Sequence, residues 1–129
     1  MKLLLDTHIW LWYRLGSDRL SQQLQTEITN EENELWLSPI SLWETLILAQ
    51  KGRLILQPTP QAWIAASLQE LDTQEALINY DIALLSRQLE LPHEDPADRF
   101  IAATAVYYNL TLATIDQHLT SAYFLKTLS

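Results

Sequence analysis

Apolar positions along the chain fall into two kinds of run. "KLLL", Lys2 to Leu5, is a short unbroken apolar stretch that stops at Asp6, the pattern of a strand covered on both faces of a parallel sheet. "ELWLS" ahead of Pro39 and "TLATI" ahead of Asp116 repeat it. The segments between them carry helical spacing. "THIWLWYRLG" predicts a helix closed by Gly16, and "SDRLSQQLQTEITN" a second with Leu20, Leu24 and Ile28 on one stripe. "ISLWETLILAQK", Ile40 to Lys51, predicts a third that Gly52 would cap. Pro58 and Pro60 open "QAWIAASLQEL", "EALI" suits a short strand, and Asn79 caps "NYDIALLSRQLEL". In "DPADRFIAATAVYYN", Asp95 stands at the cap and Pro96 at the first helical position, a strong start signal.

Strands alternating with helices predict a three-layer α/β/α domain with a mostly parallel central sheet, the single domain spanning residues 1–129. Such sheets bind ligands at the carboxyl ends of their strands. Asp6 and Asp116 both fall at that edge. Glu44 lies about one turn into the helix after the second strand, and Asp98 lies in the first turn of a later one.

Composition narrows the chemistry. The chain has no cysteine, which excludes disulfides, thiolate metal sites and thiol catalysis, and fits a reducing cytoplasm. The first residues begin like a secretion signal, but Asp6 cuts the apolar run and no small-residue cleavage site follows. No apolar run is long enough to cross a membrane. A formal charge of −8 argues against binding nucleic acid through a broadly basic surface.

If Asp6, Glu44, Asp98 and Asp116 converge, two unit charges about 4 Å apart repel by roughly 4 kcal/mol at an effective dielectric of about 20. Such a cluster must be protonated, spread apart or neutralised by a cation. Carboxylate oxygens without imidazole or thiolate beside them suit a hard ion, Mg²⁺ with Mn²⁺ as a substitute, whose usual work is to activate water in phosphodiester hydrolysis. Taken one at a time, the acids also have structural readings. Asp95 is accounted for as a cap, Asp98 as part of a capping box, and Glu44 as a solvated helix residue. Asp6 resists one, because it breaks a buried run at the ligand-binding edge. The histidines, His8, His93 and His118, allow a rival enzyme with two imidazoles as acid and base.

In order along the chain, "LLLDTHIWLW", "LSPISLWE", "HEDPADRFIAATA" and "LATIDQHL" resemble the PIN-domain ribonucleases, and within them the VapC toxins of bacterial toxin–antitoxin pairs. The likeness covers nearly the whole chain. It implies a PIN-like fold in which Asp6, Glu44, Asp98 and Asp116 are catalytic and hold the metal, with Thr7, Thr114, Asp95 and Arg99 as supporting residues. Thr7 and Thr114 would orient acids or water, while Arg99 would hold a phosphate or pair with a neighbouring acid. The resemblance further implies an RNA substrate, a small cognate antitoxin lying over the groove, and a homodimer or a toxin–antitoxin hetero-oligomer. The aromatics of "HIWLWY" suit such an interface, although five tryptophans in so small a domain must mostly be buried. A rival from another class is a non-catalytic PIN-like module that engages RNA or an antitoxin without cleaving.

Overall fold

The computed structural model describes residues 1–92 and 94–129. Its elements run β1 (Lys2–Leu5), α1 (Thr7–Leu15), α2 (Gln22–Thr29), β2 (Glu34–Leu37), α3 (Pro39–Gln50), α4 (Pro60–Glu70), β3 (Gln74–Glu75), α5 (Tyr80–Gln88), α6 (Pro96–Tyr108), β4 (Thr111–Ala113), α7 (Gln117–Thr120) and β5 (Thr127–Leu128). The strands lie in the order β3-β2-β1-β4-β5, and every neighbouring pair is parallel. The chain therefore builds outward from β1 to one edge, returns, and builds outward from β4 to the other. The direction reverses between β1 and β4, and a parallel sheet opens a crevice at such a switch point, beyond the carboxyl ends of its strands.

The strand alternation divides the core in two. Leu3 and Leu5 of β1, with Leu35 and Leu37 of β2, pack beneath α1, α2 and α4 around Ile9, Trp10, Leu24 and Ile64. Leu4 points the other way and joins Leu112, Ile101, Ala102 and Leu119 under α6 and α7. Three consecutive leucines thus serve two cores, because successive side chains leave opposite faces of a strand. The three-layer α/β/α reading holds, and the sheet is wholly parallel rather than mostly so. Trp10 is fully buried, Trp12, Trp36 and Trp63 are half-buried, and Trp43 is exposed.

Local start signals act as the sequence predicts at α6, where the Asp95 side chain accepts from Ala97 N–H ahead of Pro96, and at α5, where Asn79 caps Ile82 N–H. At α1, Gly16 adopts φ +67 and its N–H returns to the carbonyls of the last turn. Elsewhere the boundaries move. The second helix begins at Gln22 and not at Ser17, because Ser21 takes the cap by accepting from Leu24 N–H and Ser17 instead closes a turn onto Leu20. The strand expected in "EALI" is displaced to Gln74–Glu75, an edge pairing that ends where Ala76 N–H reaches the Leu37 carbonyl. The strand in "TLATI" stops at Ala113, since Thr114 turns the chain and its hydroxyl accepts from Asp116 N–H. α7 and β5 are too short to leave a periodic signal and were not anticipated.

Candidate active site

Asp6 directly follows β1 and acts as the cap of α1, which fixes its backbone at the switch point. Asp116, three residues past β4, caps α7 by accepting from His118 N–H at 2.8 Å. Glu44 rises from the second turn of α3, and Asp98 from the first turn of α6. These four acids come from separate segments, and all line one cleft of about 490 Å³ together with Asp95. Among the described residues no three acids or histidines stand close enough to grip a single ion as they are placed. A larger cleft of about 740 Å³ opens near the start of β2 and β3, between residues 28–35 and 71–74. It lies at the amino ends of the strands, away from every strand-end acid, and parallel sheets bind ligands at the other edge.

Two hydroxyls brace the acids in a crossed arrangement. Thr7 follows Asp6 in sequence, yet its Oγ1 bonds to Glu44, with the Ser41 hydroxyl 2.9 Å away. A hydroxyl has one proton to give, so Thr7 donates it to the carboxylate and Ser41 completes the chain. Thr114 Oγ1 donates to Asp6 Oδ2 at 2.7 Å, and the Thr7 N–H donates to Oδ1 at 2.9 Å. Both threonines are buried, so these bonds have little competition from water.

Asp6 is only 8% exposed. Burial raises its carboxyl above the ordinary range, the two hydrogen bonds and His8 oppose that rise, and Asp116 adds to it. Burial also raises Glu44, the Thr7 bond lowers it, and Asp6 and Asp95 push it up again. The carboxylates therefore act on one another across the cleft. Their donor set, all oxygen and negatively charged, is the kind that a hard divalent cation takes. In donor chemistry the residues fit Mg²⁺ or Mn²⁺.

Arg99 donates to backbone carbonyls. It lies outside the cleft lining, 4% exposed, and donates from Nε to the Ser86 carbonyl at 2.8 Å, from Nη1 to Leu91 at 3.1 Å and from Nη2 to Leu89 at 2.7 Å. Its fork ties the end of α5 and the following turn to α6. Among the histidines, His8 lines the cleft, His118 sits outside the lining beside Asp116, and His93 lies outside the described residues. Ser41 and Arg19, a cleft-lining residue, were missed from sequence. A serine three residues before the acid on the same helix is a usable signal for the first, while nothing local marks the second.

The PIN domain family profile matches residues 3–125 of the chain. Ribonuclease VapC22 of Mycobacterium tuberculosis is 31% identical over 122 residues, covering 92% of this chain and 90% of that protein. Among solved structures, VapBC2 from Rickettsia felis bound to a DNA fragment from its promoter superposes with a TM-score of 0.73 at 20% identity, covering 99% of this chain and 98% of its counterpart. FitAcB from Neisseria gonorrhoeae gives 0.67 at 21% identity, with 98% and 96% covered.

Proposed function

The chain belongs to the PIN-domain family, among the VapC ribonucleases, and from that premise we propose that it is a Mg²⁺-dependent endoribonuclease serving as the toxin of a toxin–antitoxin pair. The observation that carries the reading is the gathering of Asp6, Glu44, Asp98 and Asp116 from four segments onto one cleft at the switch point of the sheet. These residues would hold the ion, with Mn²⁺ as a substitute. When bound, a hard divalent cation supplies an activated water and stabilises negative charge on a phosphoryl group.

The chain's own residues prepare the place for that chemistry. Thr114 and the Thr7 N–H fix both oxygens of Asp6, and each oxygen keeps a further acceptor site for a ligand. Thr7 and Ser41 hold Glu44 on its helix. Asp95 starts α6, and that start sets Asp98 into its first turn at the rim of the cleft. The expected partner is a small antitoxin covering the cleft, in keeping with the VapBC complexes that share this fold.

Total cellular RNA offered to the purified protein should be cut with Mg²⁺ or Mn²⁺, left intact with EDTA, and left intact by a folded Asp98→Asn variant. Cleavage that survives in Asp98→Asn would remove this site from the chemistry. RNA bound but left uncut by the natural chain would favour the binding-only module.

A further inference from the structure

A cleft lined by five carboxylates repels the polyanion it is meant to receive, even when one ion offsets part of the charge. Binding an RNA strand there calls for a fixed positive group beside the acids. The chain has eight lysines and arginines, and most have other places or partners. Arg14 pairs with Glu70, Arg87 with Glu94, and Lys126 with Asn109, while Arg99 is buried on backbone carbonyls. Lys2 opens β1 at the amino edge of the sheet, and Lys51 and Arg53 follow the far end of α3. Arg19 alone of the eight lines the cleft.

Its placement is defined. Gly16 ends α1, Ser17 N–H returns to the Trp12 carbonyl, and Ser17 Oγ accepts from Arg19 N–H at 3.2 Å. The backbone is thus pinned while the side chain is exposed, and among the described residues its guanidinium has no hydrogen-bond or ion-pair partner. Trp12 and His8 line the same cleft, their ring centroids 6.0 Å apart, so it offers aromatic surface as well as the cation.

Building on the ribonuclease reading, we propose that Arg19 is the phosphate receptor of this cleft, gripping an RNA backbone phosphate next to the one being cleaved. A planar guanidinium with five donors suits a phosphate, and a site beside the acids but unpaired with them holds the strand without competing for their oxygens. Trp12 supplies the surface on which the adjoining base can stack.

The test uses a short fluorescein-labelled single-stranded RNA of mixed sequence, bound by the full chain in Mg²⁺ and followed by anisotropy over a range of KCl. An Asp98→Asn background keeps the probe intact. Adding Arg19→Gln should weaken binding roughly tenfold. The slope of log affinity against log salt should become shallower by about 0.7, the share of one phosphate on a single strand. Arg19→Lys should recover most of both. Unchanged affinity and slope in Arg19→Gln overturn the assignment, as does weaker binding at an unchanged slope, which would mean that Arg19 acts without touching a phosphate. If the slope changes as expected but the natural chain cuts no RNA, Arg19 stands and the nuclease reading falls. A natural chain that binds no RNA overturns both.

Discussion

Replacing Arg99 by methionine separates two roles that one sequence position could have filled. The side chain keeps an unbranched apolar stem reaching about as far as Nε but loses the guanidinium that donates to the carbonyls of Ser86, Leu89 and Leu91. Two of these lie in or just after the last turn of α5, where carbonyls lack helical partners and where a positive charge favours the helix dipole. Hydrogen bonds to a charged group contribute about 1.5–3 kcal/mol each. Relief from burying a cation offsets a good part of the total. The Leu89 carbonyl also keeps the Leu91 N–H as a partner. A net loss of about 3 kcal/mol follows, a large fraction of the ~5–15 kcal/mol by which a domain is stable. For a chain of this length that is a fall of roughly 10 °C in melting temperature, measured by circular dichroism or calorimetry. Arg99→Lys, which keeps the charge but presents a point in place of a fork, should recover less than half. A fall under about 3 °C in Arg99→Met, together with lost RNA cleavage, would refute the structural account and return Arg99 to the substrate.

The remaining expectations concern the acids. Because burial lifts both Asp6 and Glu44 above the ordinary carboxylate range, the folded chain keeps protons there that the unfolded chain has lost, and these two groups lower stability as pH rises through that interval. The melting temperature of Asp6→Asn relative to the natural chain, measured without divalent ions, should therefore grow with pH; a difference that is flat or shrinks from about pH 4 to about pH 8 would contradict it. The same variant should lose cleavage by about 100-fold or more. Thr7→Val preserves shape but removes the hydroxyl that holds Glu44, and should cost about 10- to 100-fold in activity or Mg²⁺ affinity while the fold survives. Equal turnover by Thr7→Val and the natural chain would show that Glu44 needs no such support.

Much of this protein was written locally. The run Lys2–Leu5, the cap and proline at Asp95–Pro96, and Gly16 after α1 each specify their element through residues within a turn or two, and such signals survive in a bare sequence. Asp6 and Asp116 stand out for the same reason, since each ends an apolar run at the ligand-binding edge, whereas Glu44 and Asp98 have structural readings of their own and were singled out by the family resemblance. What lay beyond the sequence depends on how the crossovers bring distant segments together. The order of the sheet puts β1 against β4, and this brings Thr114 to Asp6 across 108 positions, while α3 brings Glu44 to Thr7 across 37. Adjacency in sequence pairs Thr7 with Asp6; the fold gives its hydroxyl to Glu44. Arg99 sits next to Asp98, yet on a helix neighbouring residues leave in different directions, so one faces the cleft and the other the joint between α5 and α6. Arg19, in a turn with no motif, acquires its place from the path α1 takes over the sheet, a property of the packed layers that no short stretch of sequence carries.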